Sequence, residues 1–128
     1  MSVQIDVSYG ELVDKITILE IKSERVEDVA KLQNIQHELA ILSEAWINSG
    51  VDQQAIAIER TALKQINEKL WDVEDEIRRK EAANAFDDDF IRMARSVYRT
   101  NDERSSLKRA INDRFGSGLV EEKSYQPY

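Results

Sequence analysis

Residues 56–82 read IAIERTALKQINEKLWDVEDEIRRKEA. Ile56, Leu63, Ile66, Leu70, Val73 and Ile77 recur in steps of three, four and seven, the period of one helical face. Most of the residues between them are Glu, Lys, Arg, Gln, Asp and Asn, so the helix is apolar on one side and charged on the other. Asp52 stands where a helix N-cap belongs, with Val51 and Ile56 placed as a hydrophobic staple. This pattern predicts a helix over about 52–82.

The same rhythm extends in both directions. Downstream, Asp87 is a second cap, and Asp88 and Asp89 suit the positive end of a helix dipole. Phe90, Ala94, Val97, Leu107, Ile111 and Phe115 mark an inner side, and Gly116-Ser117-Gly118 ends the run. Upstream, Ser8 and Glu11 form an S-x-x-E capping box, with Val7 and Leu12 as its staple. Leu12, Ile16, Leu19, Ser23 and Val26 follow at helical spacing, and Leu32, Ile35, Leu39, Leu42 and Trp46 form a second stripe. The phase slips between the stripes, and Asp28 can cap a new helix there. Residues 9–48 are one long helix or two, and Gly50 stops them. The chain has one proline, Pro127, and glycines only at 10, 50, 116 and 118, so little interrupts the helices. Val3, Ile5 and Val7 alternate as extended chain. Residues 119–128, LVEEKSYQPY, pair with that segment or drape over the helices.

The expectation is therefore an all-α fold: an antiparallel bundle of three to four long helices, about 9–27, 28–49, 52–82 and 87–115, with short extended N- and C-terminal segments. One domain over 1–128 suits the length. Ile18 and Ile21 lie away from the Leu12–Ile16–Leu19 stripe, so the first helix is apolar on more than one side. Either it packs between two others or that side is a subunit interface. Small bundles often close as symmetric dimers, and a homodimer is expected.

Composition narrows the chemistry. The 128 residues carry 18 Lys+Arg against 25 Asp+Glu, a net charge of −7. That balance argues against nucleic acid and anionic membrane surfaces as partners. No run of about 20 apolar residues predicts a membrane insertion. The opening MSVQIDVSYGEL lacks the character of a secretory signal, which points to a cytoplasmic protein. Cysteine is absent and His37 is the only histidine. Thiolate metal sites, a Cys nucleophile and two-His metal sites are excluded within one chain. No glycine-rich phosphate loop or other cofactor motif appears, so no cofactor and no metal are expected. Glu24 and Glu27 make one E-x-x-E, but the later partner is only Asp72-x-x-Asp75, a weak match to helical magnesium-dependent pyrophosphatases.

One constellation asks for an explanation. Asn101, Arg104 and Lys108 fall in the middle of the stripe that carries Phe90, Ala94, Val97 and Ile111. Polar groups on a core face are costly unless paired. The first reading is an internal network in which Arg104 and Lys108 meet Glu20, Glu24 or Glu74 and fix helix register. The second is a cationic pocket for a carboxylate or phosphate, with Arg104 as a bidentate clamp and Asn101, Lys108, Lys15, Arg25, Trp71 and Tyr98 around it. Residues 90–115 carry seven basic and three acidic side chains, so the last helix is basic in an acidic chain. Trp71, at the shoulder of its helix's seam, seals a core edge or walls such a pocket.

Ser8 to Lys22 (SYGELVDKITILEIK), Leu70 to Glu74 (LWDVE), Ala94 to Arg104 (ARSVYRTNDER) and Leu119 to Tyr125 (LVEEKSY) together resemble an uncharacterised bacterial family, a domain of unknown function. The resemblance spans nearly the whole chain. It implies no activity, cofactor or catalytic residue. It implies a genomic setting near glycosyltransferases and other surface-polysaccharide genes. The small all-helical chorismate mutases share only the architecture of long helices around an Arg/Lys-lined pocket. Two functions stand open: a non-enzymatic interaction or accessory module with a protein partner, and a small enzyme or binding protein for an anionic metabolite.

Overall fold

A computed structural model describes all 128 residues. It contains four α-helices and no strand: α1 Tyr9–Arg25, α2 Val29–Asn48, α3 Ala57–Ala82 and α4 Asp88–Phe115. No helix is long and apolar enough to cross a membrane. The chain breaks between the first two stripes: Val26 is extended, and the Asp28 side chain accepts a hydrogen bond from the Lys31 amide at 2.9 Å to start α2. Asp52 does not cap α3 directly. It accepts from the Gln54 amide and starts a single 3₁₀ turn, Gln53–Ile56, after which α3 begins at Ala57. Asp87 caps α4 through the Phe90 amide, and Gly116 ends it in the left-handed region at φ 61°, where glycine carries no steric penalty.

α1 is the central helix: it packs closely on α2, α3 and α4, whereas α2 packs closely only on α1 and reaches α4 through the Trp46–Phe115 ring contact. The core gathers Leu12, Val13 and Ile16 of α1, Trp46 of α2, Ile56, Leu63 of α3 and Ile111 of α4. Tyr9, Trp46 and Phe115 close one end as three edge-on aromatic contacts with centroids 5.4–6.5 Å apart. Ile21 is buried and Ile18 half-buried. Their side of α1 faces the α3–α4 hairpin, as the packed reading of that side expects.

Helix lengths explain the rest. At 1.5 Å per residue α1 is about 25 Å long, while α3 and α4 reach about 40 Å. The hairpin outruns α1, so Leu70, Val73, Ile77 and Phe90 are only half-buried, and Phe86 is exposed near the tip. The terminal segments form no sheet. Val3 and Ile5 are exposed, and residues 119–128 lie along α4.

Candidate functional site: a polar seam beside a groove

α1 carries a second buried stripe, Gly10, Asp14, Thr17 and Ile21, spaced four, three and four. It faces the polar stripe of α4. Asp14 is 1% exposed, and its carboxylate is the hub. Arg104 donates from Nε to Oδ1 at 3.0 Å and from Nη2 to Oδ2, a bidentate pair. Asn67 of α3 donates to Asp14 Oδ1 at 2.9 Å and to Thr17 Oγ1 at 3.0 Å. The Thr17 hydroxyl in turn donates to the Asp14 carbonyl at 2.8 Å. One carboxylate thereby ties three helices together.

A turn further along, Lys108 reaches Glu11 at 2.7 Å, Glu121 at 3.3 Å and Asp14 at 3.8 Å. Glu11 therefore does not close the capping box back onto Ser8. Only the Ser8 half forms, with its hydroxyl accepting from the Glu11 amide at 3.1 Å. At the end of the seam, the Gly10 amide donates to Asn112 Oδ1 at 2.7 Å. A Cβ at Gly10 would collide with the Lys108 carbonyl oxygen.

The electrostatics follow from this geometry. Hydrogen bonding to Asp14 raises the Arg104 pKa further above its ordinary value, against the opposing effect of burial. For Lys108, burial pulls the pKa down most strongly, yet Glu11, Asp14 and Glu121 together leave it raised. Both cations stay charged because carboxylates of the same chain surround them.

The network is thus real, but its partners differ from those expected. Glu20 pairs with Arg60 at 3.0 Å, Glu24 with Lys64 and Glu74 with Arg78 at 3.4 Å. None of them meets Arg104 or Lys108. Asp14 was hidden because it sits opposite the Leu12–Ile16–Leu19 stripe, on a face that reads as solvent in a one-sided helix. The signal that locates it is the 10–14–17–21 spacing.

Beside the seam lies a groove of about 490 Å³ between α1, α3 and α4. Ile18, Leu70, Trp71 and Val97 form apolar walls, and Asn101 and Arg104 stand at its polar edge with Glu74, Asp75 and Arg78. Asn101, Arg104 and Trp71 are therefore brought together as the sequence suggests. The other four expected site residues do not line this groove, although Lys108 and Tyr98 line clefts that adjoin it. Lys15 is exposed and does not line the groove. Arg25 lies 5.8 Å over the Trp71 ring but pairs with Asp72 at 2.6 Å and Glu68 at 3.8 Å, outside the groove. Lys108 shares an adjoining polar cleft with Asn101 and Arg104, among Glu11, Asp102 and Glu121. Tyr98 lines a third cleft, which Asn101 also borders, and stands edge-on to Tyr128 at 5.0 Å. Trp71 is half-buried and does wall the groove.

The fold and the seam define a class: an all-helical bundle clasped by a buried carboxylate–guanidinium pair. The chain belongs to a family of unknown function, DUF6165, whose model matches residues 2–128. No curated protein and no solved structure matches it.

Proposed function

We propose that this protein is a non-enzymatic helical interaction module. The observation that carries the reading is the pairing of the seam. Arg104 is held in two-point contact by Asp14, and Lys108 is surrounded by three carboxylates. The groove rim is balanced as well, with Glu74 and Asp75 against Arg78 and Arg104. The strongest cations hold helices in register, and an incoming anion would have to compete with fixed internal carboxylates. The cytoplasmic setting follows from the character of the opening segment, and an accessory role beside bacterial surface-polysaccharide synthesis follows from the sequence resemblance.

The test is thermal unfolding against phosphate, sugar phosphates, nucleotide sugars and small di- and tricarboxylates. A ligand at about 100 times its dissociation constant adds about 2.7 kcal/mol and shifts the midpoint by several degrees. The expected result is a flat panel. A saturable shift with one class, absent in Trp71→Leu, overturns the reading.

That outcome would favour a second reading, which has one specific observation behind it: Trp71 and Arg104 line the same groove. The flat ring and the guanidinium suit a ligand with an apolar ring and a carboxylate. Ring-bearing carboxylates belong in the panel for that reason.

A further inference from the structure

α2 differs from the other helices in charge. Lys31, Glu38 and Glu44 are its only charged residues among twenty, whereas half of the α3 residues are charged. Its inner stripe, Leu32 to Trp46, packs on α1. About 105° round the helix, at 100° per residue, runs another stripe. Val29, Gln33, Gln36, Ala40, Ser43 and Ile47 follow one another in alternating steps of four and three. Val29 and Ile47 are 71% and 64% exposed, Gln33, Gln36 and Ala40 are exposed, and Ser43 is half-exposed. The four-three steps keep these residues on one side of the helix, along which a second helix can lie. Small residues at Ala40 and Ser43 allow close approach of backbones.

The order of residues along this stripe is nearly symmetric about its middle. An antiparallel copy would set Val29 against Ile47, Gln33 against Ser43, and Gln36 against Ala40. β-branched side chains then meet at both ends and an amide faces a hydroxyl between them. The two helix dipoles oppose, which is favourable. An isologous pair places a surface against itself, so a face of single-sign charge would repel. On a chain of net charge −7, the uncharged face of α2 avoids that repulsion. A standard interface takes about 800 Å² from each partner, a small share of the 8943 Å² this chain exposes.

We propose that two copies of this chain form a homodimer through antiparallel pairing of α2 along the 29–33–36–40–43–47 stripe. The proposal rests on the interaction-module reading and names its partner. It is tested by sedimentation equilibrium of the full chain over a concentration series. The wild type should approach twice 14.8 kDa. Ala40→Glu, which puts two like charges on the shared seam, should weaken the dimer at least tenfold, with unchanged helicity by circular dichroism. Ala30→Glu, off the stripe, should leave it intact. The absence of native cysteine makes disulfide trapping clean. Val29→Cys mixed with Ile47→Cys should give the mixed disulfide, while neither variant alone cross-links, because the two positions lie about 27 Å apart along the helix.

A chain that stays monomeric overturns the proposal, as does a dimer that survives Ala40→Glu. Self-cross-linking of Val29→Cys alone would show a parallel pair and overturn the register. The two readings fail separately. A monomer with a flat anion panel ends the α2 pairing and leaves the interaction module standing with another protein as its partner. A saturable anion shift ends the interaction module whatever the oligomeric state.

Discussion

Asp14 is 1% exposed and its carboxylate serves Arg104, Asn67 and, at longer range, Lys108. Removing one partner of such a pair leaves a charge without compensation. Asp14→Ala should therefore cost about 3 kcal/mol in urea unfolding, the lower end of the range because Arg104 retains partial access to water. The double variant Asp14→Leu with Arg104→Met should lose less than Asp14→Ala alone, since both charges leave together. If the two changes simply add, the pair is not coupled and the clasp is wrongly described. Lys108 supplies a pH signature. Its pKa in the fold is raised above the ordinary 10.5. The stabilisation is fully present below about pH 10.5 and is lost as pH rises through the folded value. Unfolding free energy of the wild type should fall more steeply above pH 10.5 than that of Lys108→Met. Parallel curves would remove Lys108 from the stabilising network.

At the scale of elements, local chemistry was legible. Ser8, Asp28 and Asp87 each accept the backbone hydrogen bond their position suggests, because a cap depends on residues within one turn. Periodicity likewise gave the inner stripes of α2, α3 and α4. In α1 it found Leu12, Ile16 and Leu19, and a second apolar side at Ile21, but not the other buried residues of that second side. Gly10, Asp14 and Thr17 are small or polar, so they raise no apolar signal; only the facing polar stripe of α4 gives them a reason to be inside. Asp52 shows a second kind of limit: a cap residue fixes where a turn begins, and whether that turn is α or 3₁₀ depends on how Ile56 enters the core. Gly10 is where two elements meet most closely. Its amide donates to Asn112 Oδ1, and an added Cβ would meet the Lys108 carbonyl and come within 3.0 Å of Asn112 Oδ1. Backbone cannot yield as a side-chain tip can. Gly10→Ala should destabilise by about 1–3 kcal/mol despite alanine's better helix propensity. A stabilised Gly10→Ala protein would mean that α1 and α4 are not in contact there.

Across the whole molecule, the bundle and its polar seam could be read from the sequence, but the seam's partners could not. Arg104 and Lys108 announce themselves by interrupting an apolar stripe. Which carboxylates meet them depends on the rotation of α1 about its axis, and no local pattern sets that rotation. The groove is equally a product of assembly: it exists because α1 is shorter than the hairpin it lies on. Residues 119–128 carry the last step. Glu121 and Glu122 reach Lys108 and Arg109, each at 3.3 Å, and Tyr128 meets Asp102, Tyr98 and Arg99. These contacts are long in number but sit at the surface. Ion pairs of this kind contribute about 0–1 kcal/mol each and weaken with salt. Lys108 keeps Glu11 and Asp14 when Glu121 leaves. Truncation after Gly118 should accordingly leave the four helices folded, at a cost of about 1 kcal/mol or less in denaturant unfolding. In the full chain, the amides of 119–128, which donate no hydrogen bond, should exchange fast while those of α1 and α4 stay slow. A truncated chain that loses helicity, or a tail whose amides are protected, would mean that the C-terminal segment belongs to the core and is not a strap laid upon it.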